Sequence, residues 1–328
     1  MTHLSALFIG GNGIISSACS RLAVEQGIEL TLLNRGRSTT RPPVDGARSL
    51  TADAGDPAAM RAAIGSGEFD VVVNFHVFDP GRAAADIDLF AGRTGQYVFI
   101  STAAGYQKPV RRIPITESTP LGNPFSPYAQ KKIASELAFG AAWRDRGFPV
   151  TIVRPSHTYD PTLIPLDGGW TIIDRMRRGR PTVIHGDGTS FWTLTHQEDF
   201  ARAFVGLLGN PQVVGDNVHI TSDESLTWDA IAQCLARAVG GAAGIVHVAS
   251  AQLVREIPAW AGPIIGDKSY SLVFDNTKIK RLVPGWAAEI PFWRGAQQIV
   301  DWYDAHPERQ VVDPELDQTL DRVAATCG

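Results

Sequence analysis

The stretch Leu4-Ser5-Ala6-Leu7-Phe8-Ile9-Gly10-Gly11-Asn12-Gly13-Ile14-Ile15-Ser16 decides the fold. A short apolar run over residues 4–9 ends in a glycine turn, and a helix-like segment follows to Gln26, closed by Gly27. Strand, glycine turn and helix in that order bring backbone N–H groups and a helix N-terminus together, the arrangement that receives a pyrophosphate. Gly10 permits the tight turn, and Gly13 lets the backbone come close to phosphate. Asn12, Ile14 and Ile15 sit with them on the cofactor-facing edge. Ser16 stands where a third glycine would bring helix and strand together, so a looser contact is expected there. At the first strand–helix junction, this turn points to a dinucleotide.

Outward from that turn, the chain alternates strands with helices. A second strand over residues 28–33 leads into Asn34, Arg35 and Arg37. With no acid there to repel a 2′-phosphate, and an arginine able to pair with one, NADP is favoured over NAD. A third strand covers residues 49–53, and Asp56 with Pro57 caps a helix through residue 64. Residues 70–75 read as a strand buried on both faces. A fifth strand, 96–101, ends at Ser101 and Thr102, whose hydroxyls fall at the C-terminal edge of a parallel sheet, where ligands of such folds bind. With a sixth strand at 150–153, the pattern specifies a doubly wound α/β fold. Later segments read as helices at 199–208, 228–239 and 292–303, a strand at 217–221, and a peripheral helix in the tail.

Between the fifth and sixth strands lies Phe125-Ser126-Pro127-Tyr128-Ala129-Gln130-Lys131-Lys132. Ser126 is a good N-cap and Pro127 suits the first helical position. Tyr128 and Lys132 are one turn apart and share a face. A phenol beside an ammonium is a way to make a base. Lowering a tyrosine by ~3 units takes about 4 kcal/mol, which one lysine and a cationic cofactor in a poorly solvated cleft can supply.

Composition narrows the class. Of 328 residues, 44% are hydrophobic and 20% charged, ordinary for a soluble globular chain long enough for two domains. The net charge of −4 argues against a nucleic-acid binder. Cys19, Cys234 and Cys327 make neither a metal spacing nor a disulfide framework, which fits a reducing cytosol. The apolar hexamer 6–11 is too short for a signal peptide or a membrane span, so a cytoplasmic location and no membrane association are expected.

With these pieces in order, the sequence resembles the extended short-chain dehydrogenase/reductases, in their NAD(P)-dependent epimerase/dehydratase branch. The residues that carry the resemblance are the glycine turn, Asp53, Ser101-Thr102, Tyr128 with Lys132, Arg154-Pro155, and Gly186-Asp187-Gly188 followed by Asp199. It implies a Rossmann domain over residues 1–160 and a smaller C-terminal α/β substrate domain over 161–328, with a segment near 190–225 returning to the first. It further implies that Tyr128 is the catalytic acid/base, and that Lys132 lowers its pKa and holds the nicotinamide ribose. Thr102 would hydrogen-bond the substrate oxygen, Asp53 would accept from the adenine amino group, and Phe75 and Pro155 would lie along the cofactor.

The departures matter as much. Ala103 and Ala104 follow Thr102 where dehydratases of the family carry an Asp–Glu pair, so the acid for eliminating water is missing. Trp192 and Ile264 occupy places where relatives hold arginines for a substrate diphosphate. His157 replaces an asparagine at a position that faces substrate. The expected function is an NAD(P)-dependent epimerase or ketone/alcohol oxidoreductase acting on a carbohydrate or nucleotide-linked small molecule, in a homodimer. A dehydratase or simple ketoreductase is the alternative within the family, and a nucleotide-sensing or RNA-associated protein the alternative outside it.

Overall fold

The strand β1 (Ser5–Ile9) lies inside a seven-stranded, all-parallel sheet. The structure, a computed structural model, describes residues 4–36 and 41–326. Arg37, one of the arginines expected beside a 2′-phosphate, and Cys327 fall outside them. On one side of β1 stand β2 (Glu29–Asn34) and β3 (Arg48–Thr51). On the other stand β4 (Phe69–Asn74), β5 (Thr94–Ile100), β6 (Val150–Pro155) and the strand Asn217–Ile220. Strand order therefore reverses between β1 and β4, and a crevice opens at that point beyond the C-terminal strand ends.

The continuous apolar runs exist because both faces of the sheet are covered. Ala6 and Phe8 point to one face, with Val71, Val73, Val98 and Ile100, against α1 (Ile14–Glu25) and α6 (Gln197–Val205). Leu7 and Ile9 point to the other, with Val72, Tyr97 and Phe99, against α2 (Pro57–Ile64), α3 (Pro80–Phe90) and α4 (Pro127–Arg146). The period of two sorts every one of these residues. Cys19 is buried in the first face, a small apolar filler.

A third core gathers α5 (Trp170–Arg177), α7 (Trp228–Ala238) and the helices Phe292–Ala305 and Pro314–Ala325 around Trp192, Trp228 and Phe292. The two halves interleave. Residues Gln197–Val205 and Asn217–Ile220 belong to the sheet layers, and so do Ile279 and Trp286, a later return that the sequence does not announce. Buried Asp199 ties that return down, accepting from the backbone N–H groups of Glu289 and Ile290 at 3.1 and 3.0 Å. The helix before it begins at Gln197, two residues earlier than its apolar pattern predicts, because the His196 side chain accepts from the Glu198 N–H. Among the described residues, no helix is long and apolar enough to cross a membrane.

Candidate active site

The start of α4 behaves as its residues dictate. Ser126 caps the helix by accepting from the Ala129 N–H at 3.2 Å, and Pro127 takes the first turn. Tyr128 then emerges at the rim of a cavity of about 430 Å³ and keeps 47% of its surface accessible. Thr102, Pro155, His157 and Trp192 line the same cavity, so four chain segments far apart in sequence converge on one space. Thr102 closes β5, and its hydroxyl accepts from the Ala104 N–H.

Beneath this rim, a buried network sets the helix against the sheet. Arg154 at the end of β6 grips Glu136 of α4 with two hydrogen bonds, of 3.0 and 2.6 Å, and Ser101 donates to the same carboxylate. Such bidentate pairs fix orientation as well as position. Glu136, one turn beyond Lys132, is a member that motif reading misses.

Lys132 is buried and donates to the carbonyls of Val77 at 2.6 Å and Ile100 at 2.8 Å. It thus bridges the ends of β4 and β5, with the rings of Phe78 and Phe99 at 4.7 and 5.2 Å from its nitrogen. Burial lowers its pKa to about 8, against the pull of Glu136. Burial raises the Tyr128 phenol above its ordinary value, and the Asp267 charge adds to that, while the Thr102 hydroxyl acts the other way. The Lys132 ammonium is drawn to two carbonyls and stands 5.8 Å from the centre of the phenol ring. These surroundings favour the neutral phenol.

His157 is held neutral. Trp192 donates its indole N–H to Nδ1 at 3.0 Å, which leaves the imidazole proton on Nε2. Burial, helped by the Lys268 charge, brings its pKa down to about 3. It is a hydrogen-bonding group at neutral pH, not a proton shuttle.

The glycine turn borders a second cavity, of about 360 Å³, lined by Gly10, Asn12, Asn34, Arg35, Asp53, His76 and Phe78 among others. Gly10 has φ +86°, and a Cβ there would collide with the His76 imidazole. Gly13 caps α1. Ser16, in the place of a third glycine, closes the turn on itself. Its buried hydroxyl accepts the Gly13 N–H at 2.6 Å. Ile14 and Ile15 open the helix, where first-turn N–H groups have no intrahelical partner. Asn34 faces Asn12 at 3.5 Å, and Asp53 accepts the Gly55 N–H at 2.8 Å through one oxygen, leaving the other for a ligand.

Phe75 does not line this cavity. It continues the parity of Val71 and Val73 and so turns into the core, with ring centres 5.7 Å from Phe8 and 5.9 Å from Phe204. His76 and Phe78 face the cleft in its place. Sequence reasoning also misses Arg41. Its guanidinium donates to buried Asp160 at 2.8 Å, to the Thr162 hydroxyl at 2.7 Å and to the Asn12 carbonyl at 3.4 Å. It pins the β2–β3 connection across the glycine turn.

The residues present fit a nicotinamide dinucleotide. A glycine cradle that no Cβ could share, free N–H groups at the start of α1 and an uncommitted Asp53 oxygen suit the adenosine and diphosphate part. Tyr128 and Pro155 line the first cavity, with Lys132 buried one helical turn behind Tyr128, and these suit the nicotinamide part.

Comparison with known proteins follows the same lines. A family described as the NAD dependent epimerase/dehydratase family matches residues 6–221. The chain is similar to 2'-dehydrokanamycin reductase of Streptomyces kanamyceticus, 28% identical over 298 residues that cover 86% of this chain and 80% of that protein. It is also similar to the chloroplast stem-loop binding protein of 41 kDa b of Arabidopsis thaliana, 26% identical over 249 residues, 71% of this chain and 63% of that one. Among solved structures, the epimerase Mth375 of Methanothermobacter thermautotrophicus shares the fold with a TM-score of 0.76 at 16% identity, over 94% of each chain.

Proposed function

The chain belongs to the NAD dependent epimerase/dehydratase family, and from that premise we propose that it reduces or oxidises a hydroxyl-bearing carbon of a sugar or sugar-nucleotide-like substrate. It is an enzyme of the oxidoreductase type that uses a nicotinamide dinucleotide. One observation carries the finer reading: Thr102 and Tyr128 line one cavity, with Lys132 a helical turn behind Tyr128.

When bound, the cofactor donates or accepts a hydride at the reacting carbon. The chain supplies the rest. Thr102 hydrogen-bonds the substrate oxygen and Tyr128 moves the proton at that oxygen. Burial keeps the phenol protonated at neutral pH, which suits giving a proton to a ketone as it is reduced. We favour the ketoreductase direction on the reductase name of one relative. Ala103 and Ala104 on the cavity wall bring no acid or base for eliminating water. Lys132 orients the nicotinamide side, and His157 with Trp192 orients substrate through fixed hydrogen bonds. NADP is favoured on the ground that Arg35 stands beside Asn34 in the dinucleotide cavity and no acid stands at that strand end.

Steady-state reduction of a panel of ketosugars with NADPH and NADH tests this. Tyr128→Phe is expected to lower kcat about 10²–10⁴-fold. Normal turnover by that variant sinks the assignment.

A further inference from the structure

The cavity in front of Tyr128 has two charged side chains among its described lining residues, and both are already compensated. Lys268 donates to Asp167 at 2.7 Å and lies over the Trp228 ring at 5.2 Å. Asp267 pairs with Lys108 at 3.1 Å. The Lys108 side chain is wholly buried behind it, and so is the Asp267 Oδ1 atom that meets the ammonium. Asp267 lines the cavity with 22% of its side chain accessible, and among the described residues none hydrogen-bonds to its Oδ2. Around these two residues the wall is neutral: Trp192, Pro263, Leu272 and an uncharged His157.

This charge arrangement selects among substrates. A diphosphate entering here loses its hydration and meets no unpaired cation, and the uncommitted charged atom before it is a carboxylate oxygen. A sugar hydroxyl meets a fixed, charge-assisted acceptor instead. An ammonium group gains little, because Lys108 already balances the Asp267 charge.

We propose that the substrate is an uncharged sugar bearing no phosphate: the cavity offers a phosphate no uncompensated cation to replace its hydration, whereas Asp267, balanced by Lys108, accepts a ring hydroxyl. The inference rests on the reading of Tyr128 and Thr102 as the reacting pair.

The test compares a methyl ketoglycoside, the same ketosugar linked to UDP, and its amino-substituted methyl ketoglycoside, all reduced by the full-length enzyme. The wild-type protein is expected to show kcat/KM at least tenfold higher for the methyl ketoglycoside than for either other form. Asp267→Asn is expected to raise KM for it about tenfold, with a smaller change in kcat, and to narrow the discrimination against UDP. Should the unpaired Lys108 unfold that variant, the double substitution Lys108→Met with Asp267→Leu removes both charges and is expected to raise KM in the same way. Preference for the UDP-linked or amino-substituted form, or an unchanged KM in the Asp267 variants, overturns the inference while the oxidoreductase reading stands. Hydride transfer to none of the three overturns that reading and the inference with it.

Discussion

At the scale of single residues, the site turns on where one ammonium and one phenol find their partners. Lys132 gives two hydrogen bonds to backbone carbonyls, and Tyr128 is left in a partly dehydrated rim where its neutral form is favoured. The sign is clear: burial penalises the phenolate, and Asp267 penalises it further. In the cofactor-free protein, Tyr128 is therefore expected to ionise above pH 10, the ordinary tyrosine value. A bound cationic nicotinamide should bring that ionisation down, because an adjacent positive charge favours the phenolate. The difference in absorbance near 295 nm between wild type and Tyr128→Phe, titrated with and without oxidised cofactor, reads both. A Tyr128 titration below pH 9 without cofactor would contradict the geometry.

Among elements, the loop between β2 and β3 is the least expected participant. Arg41 spans 119 positions of sequence to reach Asp160, and also touches the Asn12 carbonyl in the glycine turn. It joins the β2–β3 connection, the dinucleotide turn and the chain leaving β6. Removing it breaks the link to the glycine turn and leaves Asp160 buried with only its Thr162 donors. Arg41→Ala is expected to raise the KM for the dinucleotide about five- to twentyfold with a lesser effect on kcat, and Arg41→Lys to recover part of it. Lysine restores charge but not the forked geometry. Equal kinetics in all three proteins would show that the strap is structural only. By contrast, α4 starts at Pro127 as its own residues predict, since a cap and a first-turn proline act locally.

Over the whole molecule, acid is the expected weakness. His185 lies edge-on to Trp228, its Nε2 buried without a hydrogen-bond partner, and burial takes its pKa down to about 4. The folded imidazole stays neutral while the unfolded chain takes up a proton below pH 6.5, so stability falls as pH drops from 6.5 towards 4. By pH 5 the loss is roughly 2 kcal/mol from this group. Urea unfolding at pH 7 and pH 5 should show His185→Leu losing less stability than the wild-type protein by about that amount. Identical losses would mean that His185 titrates normally in the fold.

Much of the architecture was legible because it is written in local chemistry. The apolar runs of β1 and β4, the glycine turn and the Ser126-Pro127 start of α4 each depend on residues within a few positions of one another. The same holds for Tyr128 and Lys132 sharing a helix face. Which way a side chain turns at a strand end was less legible: parity sends Phe75 into the core and leaves the cleft to His76 and Phe78. Charge was least legible of all. That Lys132 would spend its protons on Val77 and Ile100, 55 and 32 positions away, that Arg41 would find Asp160, and that Lys108 would stand behind Asp267 are consequences of packing. Secondary structure and fold class follow from short-range hydrogen bonding and the period of burial. Electrostatics follows from distance and dehydration, and only the tertiary structure sets those.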